Sequence, residues 1–218
     1  MYDVIIVGGG PAGLFAAYEL ATKTNKTVLL IEKGKSIETR TPKEVMCGIG
    51  GAGTFSDGKL HFTPCLSHEK MLHLYSVNEY QEYVDYVDKL FSEFGVVAEY
   101  FPKDNNVVQE LVDRCTKNSI HLFVRKIRHV GSDKLPRVIE NFEKYLLEKN
   151  VEIRTETNVD DIIIENAICT GVVVGNERIN ARNVILAPGR FNAPWMQEVA
   201  KKYGLNYEFE KVEVGVRV

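Results

Sequence analysis

Two apolar runs near the N-terminus are separated by a glycine-rich turn and a stretch with helical spacing. The first run, Val4 to Val7, is entirely apolar, as central parallel strands are because helices cover both faces of their sheet. The second run, "TVLLIE", ends at Glu32. Between them, apolar residues recur at helical spacing at Leu14, Ala17, Tyr18 and Ala21. The pattern predicts strand, turn, helix and strand, a βαβ unit within the first 33 residues.

Residues 34–75 show no such pattern and are dense in Gly, Ser, Thr and Pro. A segment of this length without regular structure is uncommon in a compact domain and is usually functional. An apolar stripe then predicts a helix from a cap at Asn78 to Gly95, and a second helix is predicted at about 106–118. "IHLFVRKI", residues 120–127, predicts a strand. The inward positions expected of the second helix are Val108, Leu111, Val112 and Cys115.

The rest of the chain predicts one helix followed by strands. A cap at Ser132 and Pro136 in the first turn predict a helix to about Lys149, because proline has no amide hydrogen to lose there. Residues 151–155 predict a strand, and turns near 166 and 176 predict a meander. "NVILAPG" is again a continuous apolar strand that runs into a turn.

Composition and charge narrow the classes of partner. At 44% hydrophobic residues, the 218-residue chain can form a sizeable core. A formal net charge of −3 gives no basic footprint, so we expect neither nucleic acid nor a membrane as partner. No signal peptide and no apolar stretch near the ~20 residues of a membrane helix is present, which favours a cytoplasmic protein. The four cysteines lie far apart, so we expect free thiols and no metal site.

Gly8, Gly10 and Gly13 form a G-x-G-x-x-G pattern between the first predicted strand and the helix. The first glycine allows the tight turn, the second lets the backbone approach a pyrophosphate, and the third lets helix and strand pack closely. The anion then lies at the helix N-terminus. At the end of the second strand, the carboxylate of Glu32 can accept hydrogen bonds from a ribose and would repel a 2′-phosphate. The pattern predicts FAD or NAD rather than NADP.

The same residues carry a resemblance to known flavoproteins. "VIIVGGGPAGLFAAYELA" with "VLLIEKG" resembles the N-terminal motif of the two-dinucleotide-binding-domain flavoproteins, which have a glutathione-reductase-like FAD fold. Four later stretches resemble, in order, the family of uncharacterised FAD-dependent dehydrogenases: "GGAGTFSDGKL", "RHVGSDKLPRVIENFEKYL", "NVILAPGR" and "VEVGVRV". The resemblance covers the whole chain and implies an FAD-dependent oxidoreductase.

The resemblance implies three groups of cofactor contacts. Those that hold the ADP half of FAD are Gly8, Gly10, Pro11, Ala12, Gly13, Glu32 and Lys33. Those in the glycine-serine loop along the pyrophosphate and flavin are Gly51, Ala52, Gly53, Ser56, Asp57, Gly58 and Lys59. Those near the ADP after later strands are Val159, through its backbone, and Ala187, Pro188 and Gly189.

Family members also have a late Gly-Asp motif that holds the ribityl chain, and none follows Gly189 here. "VEVGVRV" has the pattern of a strand that has just begun. We therefore expect an N-terminal portion of a longer protein, which would be inactive by itself if the flavin pocket is incomplete. Apolar surface left exposed by the absent part would favour self-association.

Three further interpretations concern a second glycine loop, an alternative function and the role of single side chains. Gly53 to Lys59 lies one residue short of a loop for nucleoside triphosphates, but Leu60 cannot ligate magnesium and no apolar strand precedes the loop. A non-redox nucleotide-binding protein, such as a thiamine-thiazole-synthase-like enzyme or a regulatory flavoprotein, stays open, with Cys47 the one residue in its favour. For His61, Arg128 and His129, contact with substrate and a structural role both stay open.

The sequence thus predicts an α/β protein: a Rossmann-like FAD/NAD(P)-binding fold with a parallel central sheet, a β-meander and an inserted α-rich segment. We expect residues 1–76 and 131–190 to form a discontinuous FAD-binding domain, 77–130 an insertion, and 191–218 the start of a substrate domain. The predicted function is an FAD-dependent dehydrogenase for a small-molecule substrate or electron donor that the sequence does not name. No residue is assigned a catalytic role.

Overall fold

The computed structural model describes residues 1–64 and 74–209. Its strands are β1 (Tyr2–Val7), β2 (Val28–Ile31), β3 (Lys59–His61), β4 (Tyr100–Phe101), β5 (Ile127–His129), β6 (Glu152–Arg154), β7 (Asp161–Glu165), β8 (Ile168–Val174) and β9 (Glu177–Leu186). Its α-helices are α1 (Pro11–Lys23), α2 (Val77–Glu93), α3 (Asn105–Lys117), α4 (Leu135–Glu148) and α5 (Ala193–Tyr203). The predicted strand in "VEVGVRV" and the residue Cys65 lie outside the described residues.

The chain divides by packing into two units. The first comprises Met1–Gly34 and the segment from Asn150 onward, and the second comprises Lys35–Lys149. These divisions lie at other positions than the boundaries that the sequence predicts at 76, 130 and 190, and those boundaries stay a prediction. Within the described residues, no helix is both long and apolar enough to cross a membrane.

The first unit is built on a six-stranded sheet in the order β6-β2-β1-β9-β8-β7. Strand β1 pairs in parallel with β2 on one side and with β9 on the other, and β2 pairs in parallel with β6. Strands β7, β8 and β9 pair antiparallel and form the meander. The βαβ unit, the parallel central sheet and the meander are therefore confirmed.

The apolar runs of β1 and β2 form the centre of this unit. Val4 to Val7 and the four residues of β2 are all buried. Helix α1 contacts both strands, and both lie between other strands of the sheet. One core cluster joins these strands to the meander and to α5, and its buried members are Ile5, Val7, Leu29, Ile31, Val159, Ile162, Val172, Ile179, Ala181 and Val199. Leu14 and Ala17 are the buried apolar side chains of α1.

The second unit contains a three-stranded antiparallel sheet, in the order β3-β5-β4, and the helices α2, α3 and α4. Its core lies between α2 and α4, where the rings of Phe94 and Phe142 stack at a centroid distance of 4.2 Å. Helix α3 contributes no buried residue, and Leu111, which we expected to face inward, is 48% exposed. The stripe on α3 is therefore only partly covered within the described residues.

The predicted strand at 120–127 is wrong, because only Ile127–His129 forms a strand. The strands that flank β5, which are β3 and β4, explain why β5 does not begin earlier. Pro64 follows β3 closely and Pro102 follows β4 directly, and proline has no amide hydrogen to donate to a ladder. Both flanking strands therefore end before they could pair with residues 120–125.

Two predicted helix caps are also wrong. Helix α2 is capped by Ser76 instead of Asn78, because Ser76 and Glu79 form a reciprocal capping box. Helix α4 has Lys134 at its N-cap position, two residues after Ser132, since the chain first makes a turn at Gly131 with a φ of 97°. The predicted ends of α2, α3 and α4 and the position of Pro136 in the first turn of α4 are confirmed.

Candidate functional site

The turn after β1 requires glycine at two positions. Gly8 has a φ of 108°, and a Cβ placed there would lie 2.3 Å from the carbonyl oxygen of Ala187. A Cβ on Gly13 would lie 1.8 Å from the carbonyl oxygen of Gly8. Real side chains do not tolerate such distances, so both glycines are needed for the turn and for the close packing of α1.

The turn leads into a helix start with no side-chain cap. Gly10 occupies the N-cap position in an extended conformation, and within the described residues no side chain accepts a hydrogen bond there. Pro11 at the first helical position has no amide hydrogen, and the first turn contains no acidic residue. The amides of Ala12 and Gly13 therefore lie at the positive end of the helix dipole without a capping side chain, which favours an anionic ligand.

Glu32 is a buried acid directly after β2. Its Oε2 accepts a hydrogen bond from the amide of Gly9 at 2.6 Å, and its Oε1 accepts one from the amide of Gly34 at 2.8 Å. Its position at the strand end is as the sequence indicated, while its contact with a ribose stays a prediction. Lys33 is exposed, and its ammonium lies 5.5 Å from the ring centre of Phe191.

The turn after β9 packs against the glycine turn. The amide of Ala187 donates to the carbonyl oxygen of Val7 at 2.8 Å, and Gly189 has a φ of 66°. Val159 has its side chain in the core, so only its backbone is available to a ligand. The structure thus brings the turns after β1, β2 and β9 together at the carboxyl ends of parallel strands, where ligands bind in open α/β sheets.

The second unit contains the glycine-serine loop. Ser56 donates its hydroxyl to the carbonyl oxygen of Gly53 at 2.8 Å, and Lys59 forms an ion pair with Asp57 at 3.0 Å. The hydrogen bond from Lys59, and to a smaller extent the charge of its ammonium, lowers the pKa of the Asp57 carboxyl. Gly58 has a φ of 68°, and a Cβ on it would lie 2.3 Å from the carbonyl carbon of Gly131. The predicted flavin contacts of this loop stay a prediction.

A buried arginine that the sequence analysis missed organises the start of this loop. The guanidinium of Arg40 donates to the carbonyl oxygens of Ile49 at 2.8 Å and Gly51 at 2.9 Å. Its further acceptors are the carbonyl oxygens of Glu44, Val45 and Gly48 and the hydroxyl of Thr54. Because the acceptors are mainly backbone groups, no pattern of residue types in the sequence indicates them.

Arg128 has a structural role in the second unit. Its guanidinium forms a buried ion pair with Asp88 at 2.6 Å and donates to the hydroxyl of Ser92 at 2.6 Å. Its remaining groups donate to the carbonyl oxygens of Val96 and Ala98. Tyr100 donates its hydroxyl to the other oxygen of Asp88. Of the two roles left open for Arg128, contact with substrate and a structural role, these contacts favour the structural role.

The other candidate side chains are not gathered into a reactive group. His61 and His129 are exposed, and Nε2 of His129 lies 3.2 Å from the carbonyl oxygen of Asp57. Cys47 is a partly buried free thiol. Among residues 1–64 and 74–209, no three His, Cys, Asp or Glu side chains lie together as metal ligands would.

The chain matches one family model and is similar in sequence to known proteins. A family model described as "FAD binding domain" matches residues 3–208. Over 44 residues the chain is 48% identical to LodB of Marinomonas mediterranea, covering 12% of that protein. Over 216 residues it is 26% identical to fumarate reductase 1 of Saccharomyces cerevisiae, covering 92% of this chain and 44% of the reductase.

The fold is similar to that of a solved oxidase. The structure of glycine oxidase from Geobacillus kaustophilus matches with a TM-score of 0.59 at 18% identity, covering 94% of this chain and 59% of the oxidase. At this identity the match concerns the fold alone. The chain spans less than half of fumarate reductase 1 and about three fifths of the glycine oxidase.

Proposed function

This chain belongs to the FAD binding domain family, and on that premise we propose that the protein is an FAD-dependent oxidoreductase of the dehydrogenase type. The observation that supports the proposal is the turn after β1. Its glycines are required because an added Cβ would lie only 2.3 Å or 1.8 Å from a carbonyl oxygen, and the turn leads into a helix N-terminus without a side-chain cap. A turn with these properties suits a pyrophosphate, the anion at the centre of FAD.

The residues of the first unit fit the ADP half of the cofactor. The amides at the start of α1 would bind the pyrophosphate, and Glu32, at the end of β2, would accept hydrogen bonds from the ribose. Both groups are fixed by the backbone before a ligand arrives, which lowers the entropic cost of binding. FAD, when bound, accepts a hydride or electrons from a donor and passes them on.

We propose membership of the narrower family of FAD-dependent dehydrogenases on the four stretches quoted above. The similarity to a reductase supports a redox function over the non-redox alternative. The substrate is proposed only as a small molecule or an electron donor. No side chain in the described part of the chain is assigned to proton transfer.

The test is the absorbance spectrum of the purified full-length protein, before and after incubation with FAD. We expect a protein-bound band at about 450 nm and, after denaturation, release of FAD rather than FMN or NAD. Anaerobic addition of nicotinamide, amino acid or hydroxy acid donors should then bleach the band for one donor class. A protein that stays colourless after reconstitution would overturn the proposal, and bound flavin that no donor class reduces would contradict the dehydrogenase part.

A further inference from the structure

The amide of Gly9 is committed to a buried carboxylate. Gly9 is the variable position of the G-x-G-x-x-G pattern and has no assigned role in it. Its amide donates to Oε2 of Glu32 at 2.6 Å, while the amide of Gly34 donates to Oε1 at 2.8 Å. One carboxylate therefore connects the turn after β1 to the turn after β2.

The main chain at Glu32 is fixed as firmly as its side chain. The amide of Glu32 donates to the carbonyl oxygen of Arg154 at 2.8 Å, and the amide of Thr157 donates to the carbonyl oxygen of Glu32 at 3.0 Å. The amide of Glu156 donates to the carbonyl oxygen of Gly34 at 2.7 Å. Because backbone bonds hold Glu32 on both sides, its carboxylate has a set position from which to orient Gly9.

The charge and burial of Glu32 make these bonds strong. Hydrogen bonds to an ionised acceptor are shorter and roughly twice as strong as neutral ones, and 2.6 Å lies at the short end. Glu32 is 7% exposed, so water does not compete freely for its oxygens. An amide hydrogen that points at Glu32 cannot point at a phosphate, so the Gly9 amide is removed from the set that binds the anion.

We propose that Glu32 is a positioning residue for the pyrophosphate turn, in addition to the ribose contact predicted for it. Through Gly9 it sets the path of the chain between Gly8 and Gly10, and so aims the amides at the start of α1. The inference rests on the proposed function, because it assumes that this turn binds the ADP half of FAD. A carboxylate has about four acceptor sites, so it can accept hydrogen bonds both from the amides of the turn and from a ribose.

The experiment compares ADP with 2′,3′-dideoxy-ADP, which lacks the ribose hydroxyls, by calorimetric titration of the wild type and of Glu32→Gln. We expect dideoxy-ADP to bind Glu32→Gln about tenfold more weakly than it binds the wild type, the effect of about one charge-assisted hydrogen bond. Equal affinity of dideoxy-ADP for the two proteins would overturn the inference, since Glu32 would then act on the ribose alone.

Glu152→Gln is the matched control. Glu152 lies in the same unit, and its carboxylate accepts hydrogen bonds from the hydroxyl of Tyr2 at 2.5 Å and from Nε of Arg154 at 2.9 Å, away from the glycine turn. We expect this variant to bind both nucleotides as the wild type does. If Glu152→Gln loses as much affinity for dideoxy-ADP as Glu32→Gln does, the loss comes from general destabilisation of the unit, and the inference is overturned.

A measurement on the nucleotide-free wild type covers the case in which Glu32→Gln does not fold. We expect the Gly9 amide hydrogen to exchange with solvent at least about a hundredfold more slowly than in an unstructured peptide. Unprotected exchange at Gly9 would overturn the inference. If instead the wild type binds neither ADP nor FAD, the proposed function fails, while exchange at Gly9 still decides whether the hydrogen bond exists.

Discussion

Gly8 is the residue at which the turn after β1 is least tolerant of change. We expect Gly8→Ala to lower the free energy of unfolding by about 3 kcal/mol, because a positive φ and a close contact act together. Gly175→Ala is the control, since Gly175 has a φ of 56° but, among the described residues other than its chain neighbours, no atom lies within 4 Å of an added Cβ. Chemical denaturation should give a loss of about 1 kcal/mol for the control. Equal losses for the two variants would contradict the role of the contact with Ala187.

Glu143 on α4 makes stability depend on pH. Its Oε2 accepts hydrogen bonds from the hydroxyl of Ser36 and the amide of Ile37, both at 3.1 Å. Burial raises the pKa of this carboxyl above its ordinary 4.5, and these hydrogen bonds only partly oppose the shift. A raised pKa stabilises the fold most below the unfolded value of about 4.3, and that contribution is lost as the pH rises through the folded value.

We therefore expect the wild type to lose stability relative to Glu143→Gln as the pH rises from about 4 to about 8. Glutamine keeps the size and an acceptor oxygen but cannot ionise. Glu140→Gln on the same helix should show the opposite change at lower pH, because a hydrogen bond from Lys144 lowers the pKa of Glu140. The wild type should therefore lose stability relative to Glu140→Gln only as the pH falls below about 4.3. Urea denaturation at several pH values measures both differences. Parallel curves for the wild type and Glu143→Gln would show that Glu143 titrates as it does in the unfolded chain.

Glu32 shows how far single residues could be predicted. The second apolar run placed Glu32 at the end of the second strand, and this position is as expected. Its bonds to Gly9 and Gly34 could not be predicted, because the direction of a backbone amide depends on the packing of the whole turn. The same reason applies to Arg40, whose acceptors are mainly carbonyl oxygens.

The N-terminal cap of α2 can be tested as a property of a single helix. Ser76 accepts a hydrogen bond from the amide of Glu79, and Glu79 accepts one in return from the amide of Ser76. We expect Ser76→Ala to lower the free energy of unfolding by about 1 kcal/mol. Asn78→Ala should be neutral or slightly stabilising, because Asn78 lies inside the helix, where alanine is preferred. If thermal or urea denaturation shows a larger loss of stability for Asn78→Ala than for Ser76→Ala, the capping residue is Asn78.

Helices and strands could be predicted where the local sequence pattern agrees with the packing around the element. The βαβ unit has buried strands, glycines at the turn and a proline at the first helical position, all of which point to the same structure. Residues 120–127 have a strand pattern too, but a strand needs partners. Those partners end at His61 and Phe101, ahead of Pro64 and Pro102, which are distant in sequence from residues 120–127. The pattern alone therefore overpredicted the strand.

At the scale of the whole molecule, the first unit is assembled from two distant segments of the chain. Strand β1 pairs with β9, and the turn at Gly8 packs against Ala187. The ADP-binding residues proposed here therefore depend on contacts between the first 34 residues and the segment from Asn150 onward. A nucleotide that binds at this turn should stabilise both segments together, by about 2.7 kcal/mol at a hundredfold excess over its Kd.

Hydrogen exchange with ADP and with FAD tests this dependence. We expect ADP to slow exchange in peptides that contain the glycine turn, Glu32 and residues 187–189, and to leave α3 unchanged. FMN, which lacks the adenosine, is the control and should protect none of them. If residues 51–59 contact the flavin, as the family resemblance implies, FAD should protect them and ADP should not. Protection by ADP confined to one of the two segments would contradict the joint site, and no added protection by FAD at 51–59 would show that the predicted flavin contact is wrong.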